Sequence, residues 1–90
     1  MKKAILWGAI STGEVLCPVI YLWRTREGIA KARNVGGALE HGTEVMVQEI
    51  DDDWVKVYKN VVFEGKNYPQ VGYVRRTLVR IEDEDDKVNP

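Results

Sequence analysis

Between Gly42 and Tyr58 the chain alternates. Val45 and Val47 fall on one side with Glu49, while Met46, Gln48 and Ile50 fall on the other, as the two-residue period of a strand requires. Asp51, Asp52 and Asp53 interrupt the pattern as an acidic turn. It then resumes with Val55 and Val57 on one face and Trp54, Lys56 and Tyr58 on the opposite one. Two strands joined by a short polar turn make a β-hairpin, and its valine face belongs to a core.

The flanking segments also read as short strands. The apolar run over residues 3–10 is compatible with helix or strand by pattern alone, but Gly8 and its short length disfavour a helix. Ser11, Thr12 and Gly13 signal a turn, and Val15 to Trp23 is rich in strand formers, so a hairpin is the simplest reading of the N-terminus. Pro18 cannot donate to a ladder, which places the effective start of the second strand at Val19. A long connection spans Thr25 to Asn34, in which Ile29, Ala30 and Ala32 fit at most one helical turn. Val35 to Leu39 is a short segment kinked by its glycines, and Glu40 to Thr43 is a turn. Beyond the central hairpin, Val61 to Phe63 extends the strand, Glu64 to Asn67 turns, and Gln70 to Arg75 forms another strand. Arg76 to Leu78 reads as a 3₁₀ turn and Val79 to Ile81 as a last strand. The acidic stretch from Glu82 to Pro90 has almost nothing to bury and is expected to be disordered. Several short strands and no long amphipathic helix predict an all-β fold, a small barrel or sandwich.

Composition narrows the chemistry. Ninety residues suit one domain. A net charge of -1 argues against a general nucleic-acid binder, which normally carries a basic excess. The charges are nevertheless grouped: Arg24, Arg26, Lys31 and Arg33 fall together, as do Arg75, Arg76 and Arg80, so a local basic patch forms if the two groups meet. A single cysteine, Cys17, excludes an internal disulfide and reads as a small buried hydrophobe. The single histidine, His41, sits in a turn and reads as a solvated residue. Neither a phosphate-binding glycine loop nor a nucleophile motif nor a metal-ligand spacing is present, so neither an enzyme nor a cofactor is expected. Lys2 and Lys3 before Ala4 to Ile10 imitate a signal peptide, but the apolar run is short and no small-residue cleavage site follows. It is also too short to span a bilayer, so the segment is read as part of the fold, with no membrane association and a cytoplasmic location expected.

The order of the pieces resembles a bacterial SH3-like domain over residues 19–81. The residues that carry this are Leu22-Trp-Arg24, a long loop, Val35-Gly-Gly-Ala-Leu and Gly42-Thr-Glu-Val45, then Trp54-Val-Lys-Val57, and finally Gly72-Tyr-Val74 closed by Leu78. The resemblance implies an SH3-like barrel of five to six short strands. Residues 1–18 are then an added N-terminal strand or hairpin, and residues 82–90 a disordered tail. It also implies a surface groove between the long loops, with Trp54 exposed at its edge and Gly72 where two strands cross closely. The aromatic ladder by which the eukaryotic members of this fold grip proline-rich helices is missing, which leaves that mode of recognition in doubt.

On this reading the candidate ligand-binding residues are Trp54, Asp52, Asp53, Arg24, Tyr73 and Arg75. Aromatic faces supply contact area and the guanidinium groups supply planar donors. Trp23, Tyr58 and Tyr68 are further aromatics that could face solvent. Two functional classes follow: a non-catalytic module that binds a peptide or protein partner, and an assembly protein that forms a homo-oligomer through strand edges. Recognition of a cell-wall glycan is a third, lesser possibility.

Overall fold

The computed structural model describes residues 1–26 and 32–82. Seven strands form one antiparallel sheet that curls into a half-barrel. They are β1 (Lys2–Leu6), β2 (Val19–Trp23), β3 (Val35–Glu40), β4 (Glu44–Glu49), β5 (Trp54–Phe63), β6 (Lys66–Arg75) and β7 (Val79–Ile81). Their order across the sheet is β3-β2-β6-β5-β4-β1-β7. Single 3₁₀ turns, Ala32–Asn34 and Arg76–Leu78, lead into β3 and β7. The all-β class and small barrel form follow the sequence pattern.

The alternation dictates the core. Val45 and Val47 of β4, Val55 and Val57 of β5, Val74 of β6, Leu6 and Ala4 of β1, and Ile20 and Leu22 of β2 are all at most 2% exposed. The register lines them up in rows: Val47 faces Val57, which faces Gly72, while Val55 faces Val74. Each such branched side chain contributes about 1.5–3 kcal/mol of burial when withdrawn from water. Leu39, Val79 and the half-buried Cys17 and Leu78 complete the cluster, so Cys17 packs as a small hydrophobe.

Gly72 is buried where β6 crosses β2. A Cβ there would lie 2.7 Å from the Leu22 Cβ and 2.9 Å from the Trp23 carbonyl oxygen. Only the Trp23–Tyr73 bridge joins β2 to β6, because the two strands cross rather than run side by side.

Three expectations are corrected. The N-terminal strand does not pair with β2: β1 lies between β4 and β7, with Ala4 opposite Val45 and Leu6 opposite Val79. Residues 7–18 fold back on themselves outside the named strands, through the Ala9–Val15 bridge and the Leu16 and Cys17 N–H groups donating to the Gly8 carbonyl. Burying Ala4 and Leu6 between two strands removes more apolar surface from water than a two-stranded hairpin could.

Strand β6 begins at Lys66 rather than Gln70, because Glu64 and Gly65 alone make the turn. Both have positive φ, 50° and 75°, the geometry of a two-residue turn whose twist matches the strands it joins. Pro69 is accommodated inside β6 opposite Asn60.

His41, finally, is a packed residue. Its Nδ1 accepts the Gly8 backbone N–H at 2.8 Å, and its ring lies 4.6 Å from that of Trp7. The Arg80 guanidinium also lies over the Trp7 ring, 4.0 Å from its centroid. Ile29 and Ala30 and the tail beyond Glu82 lie outside the described residues.

Candidate functional site

The central hairpin ends in a cleft. Asp51 shapes the turn between β4 and β5: its Oδ1 accepts the backbone N–H groups of Asp53 at 2.8 Å and Trp54 at 2.9 Å. Those two bonds, with the Asp53 bond the larger influence and Arg26 a further one, hold the Asp51 carboxyl below its ordinary range. Asp51 Oδ2 takes Arg26 Nη1 at 3.1 Å, tying the acidic turn to the segment that leaves β2. Thus one of the three turn acids is a structural member rather than a free charge.

The facing wall is fixed by Asn34, a buried polar residue. Its Oδ1 accepts from the Thr25 backbone N–H at 3.1 Å and from the Thr25 hydroxyl at 3.0 Å, and its Nδ2 donates to the Thr25 carbonyl at 3.1 Å. The Arg24 N–H donates to the Asn34 carbonyl at 2.7 Å. Asn34 therefore clamps both sides of the long connection and sets where Arg24 and Arg26 stand. This follows from satisfying a buried amide, which would otherwise cost its desolvation.

Between these walls lies an open cleft of about 450 Å³ lined by Arg24, Thr25, Arg26, Asp51, Asp53, Trp54 and Tyr73. Of the six sequence candidates, Arg24, Asp53, Trp54 and Tyr73 line it. Asp52 is not part of the lining, and Arg75 borders it through Trp54. The Arg75 guanidinium is stacked 4.1 Å from the Trp54 ring, the two residues being cross-strand partners. The Tyr73 ring is flanked by the Arg26 guanidinium and the Lys56 ammonium, each at 5.7 Å.

Trp54 departs from expectation in one respect: it is only 7% exposed. Alternation does send it off the valine face. That corner of the outer surface, however, is covered by the stacked Arg75. Trp54 forms a floor rather than an exposed edge.

The two arginine groups meet only in part. Arg24 and Arg26 line the cleft and Arg75 borders it, whereas Arg76 turns away to Glu49 and Arg80 to Trp7. Lys2 also pairs with Glu49 at 3.1 Å. The Arg76 and Lys2 bonds, Arg76 first, hold the Glu49 carboxyl below its ordinary range. Among the described residues, Arg24, Arg75, Asp52 and Asp53 have no ion pair. The cleft thus presents an uncommitted guanidinium and an uncommitted carboxylate on either side of aromatic surface.

Thr25, Arg26, Asp51 and Asn34 were not among the site candidates, although Arg26 belongs to a basic group and Asp51 to the acidic turn read from the sequence. The only signal for Asp51 is its place as the first acid of a tight turn, where its side chain can accept from following N–H groups. Asn34 gives no signal in isolation, since its partners lie nine and ten residues upstream. A second concavity, about 410 Å³, lies beside Leu16, Val19, Tyr21 and Leu78. It lacks the convergent charged groups of the first. Among the described residues no cluster of His, Cys, Asp and Glu could hold a metal ion. No family model matches the chain, and neither a curated protein nor a solved structure is significantly similar to it.

Proposed function

We propose that the protein is a non-catalytic binding module that takes a peptide or protein segment in the Trp54 cleft. The observation that carries this reading is the lining itself: Trp54 and Tyr73 supply aromatic surface between Arg24 on one wall and Asp53 on the other. A polypeptide segment offers what such a cleft can use, namely apolar side chains flanked by charges of both signs and backbone amides. The cleft is prearranged by the Asp51 turn and the Asn34 clamp, which lowers the ordering cost of binding. The order of motifs that resembles a bacterial SH3-like domain supports the same reading, since groove binding between two loops is the common use of that architecture.

The test is a titration of ¹⁵N-labelled protein with a panel of peptides of mixed charge and with peptidoglycan fragments. Peptide binding should shift the amides of Arg24, Asp53, Trp54 and Tyr73, and Arg24→Ala with Asp53→Ala should abolish the shifts without unfolding the protein. Silence at those amides across the peptide panel refutes the reading. A response to the glycan fragments alone replaces it with glycan recognition.

A further inference from the structure

The far end of the β5–β6 hairpin carries a feature unrelated to the cleft. The register and the turn fix which backbone groups point outward. In a two-residue hairpin the closing pair, here Phe63 and Lys66, exchanges hydrogen bonds, so pairs alternate from there. Val61–Tyr68 is then a bonded pair, while Val62–Asn67 and Asn60–Pro69 are not. Pro69, which has no N–H to give, agrees with that assignment. The N–H and C=O groups of Asn60 and Val62 therefore face away from β6, toward the β4 side. Pairing with β4 has already ended there, at Met46–Tyr58.

Two other edges are obstructed or short. The outer edge of β6 meets Pro69 and then β3, whose Gly36 approaches the Val71 carbonyl so closely that a Cβ would sit 3.2 Å from it. Strand β7 has three residues. Among the described residues, nothing blocks the Asn60–Phe63 edge of β5, and it is flanked by exposed apolar side chains. Val62 is 64% exposed and Phe63 is 61% exposed.

We propose that this edge pairs with the same edge of a second copy, in antiparallel register about a two-fold axis through Val61. Only residues with outward groups can form bonded pairs, so the residue numbers of facing partners must sum to an even value. With Val61 opposite itself, Asn60 of each copy faces Val62 of the other, and both bonded pairs close, giving four intermolecular hydrogen bonds. Charge supports a second copy over an unrelated strand. Lys59 comes opposite Phe63 of the second copy and beside its Glu64, so the edge is neutral and complementary to itself, as an isologous contact requires. On one face Val61 and Phe63 of both copies then lie together, and on the other Val62 of each copy lies beside Asn60 of its partner. This edge stands at the other end of β5 from Trp54, with Val61 about 24 Å away by strand rise, so dimerisation leaves the cleft open.

The experiment is light scattering over a wide concentration range, joined to amide hydrogen exchange on the unmodified protein. The mass should approach that of a dimer as concentration rises. The Asn60 and Val62 amides should slow in step with it, while the Val61 amide, bonded to β6, stays protected throughout. Val62→Pro, which removes one outward donor per copy, should weaken the dimer by at least about tenfold. Glu64→Lys, which sets like charges together without touching the ladder, should weaken it too, and Lys59→Glu added to Glu64→Lys should restore it. A monomer at every concentration overturns the proposal. So does a dimer that ignores both Glu64→Lys and Val62→Pro, or one in which the Asn60 and Val62 amides exchange at a rate independent of concentration.

Discussion

Gly72 shows how one residue can hold a barrel together by having no side chain. Its Cα lies against Leu22, and a Cβ would meet the Leu22 carbonyl carbon at 2.8 Å as well as its Cβ. The β2 backbone at Leu22 and Trp23 cannot yield cheaply, so Gly72→Ala should lower stability by about 1–3 kcal/mol, measured as a reduced urea midpoint at unchanged slope. The contrast with Trp54 is instructive. Alternation sends Trp54 away from the valine face, yet it ends 7% exposed because its cross-strand partner Arg75 lies over the ring. Side-chain direction follows from period, but coverage depends on what another strand places there. Arg24, Asp53 and Tyr73 are legible as site candidates because charge and aromaticity are properties of the residue itself. Asn34 and Asp51 are not, because their roles lie in hydrogen bonds to backbone groups that only the folded loops bring within reach.

At the level of elements, β1 carries the largest consequence. It is an interior strand, bonded to β4 on one side and β7 on the other, and it buries Ala4 and Leu6. Removing residues 1–6 would strip β7 of the one strand partner it has among the described residues and open the core beneath Val45 and Val79. The shortened chain should therefore show no cooperative unfolding transition by circular dichroism. A folded, cooperative product would mean that β1 is only a cover. The central hairpin was readable because period, turn acids and branched residues agree over a continuous stretch. The pairing of β1 was not, since Lys2 and Val47 are distant in sequence and a strand-forming run carries no mark of its partner. The turn at Glu64–Gly65 was read two residues too long because Lys66 and Asn67 have turn-like chemistry, and pairing along β5 overrides it.

For the whole molecule, two carboxylates join separate parts of the sheet: Glu49 of β4 binds Arg76 and Lys2, and Asp51 binds the turn backbone and Arg26. Both carboxyls have their pKa lowered by folding, from ordinary values of 4.5 and 3.8. The unfolded chain thus holds more protons than the native state through that interval. Their stabilising contribution is fully present above the ordinary values and is lost as pH falls through the lowered native ones. The urea midpoint should decline below about pH 5 as these groups protonate, and Glu49→Gln with Asp51→Asn should flatten part of that decline. An identical pH profile in the double variant would remove both groups from the account.

The sequence by itself determined the all-β class, the valine core and the residue types available for a site. These follow from side-chain period and branching, both of which are local. Tertiary structure alone decided that β1 is interior, that Trp54 is a covered floor and that Asn34 and Asp51 shape the cleft. Those outcomes depend on which distant strands meet. Burial and hydrogen-bond satisfaction select the meeting over the whole chain, and no single stretch records it.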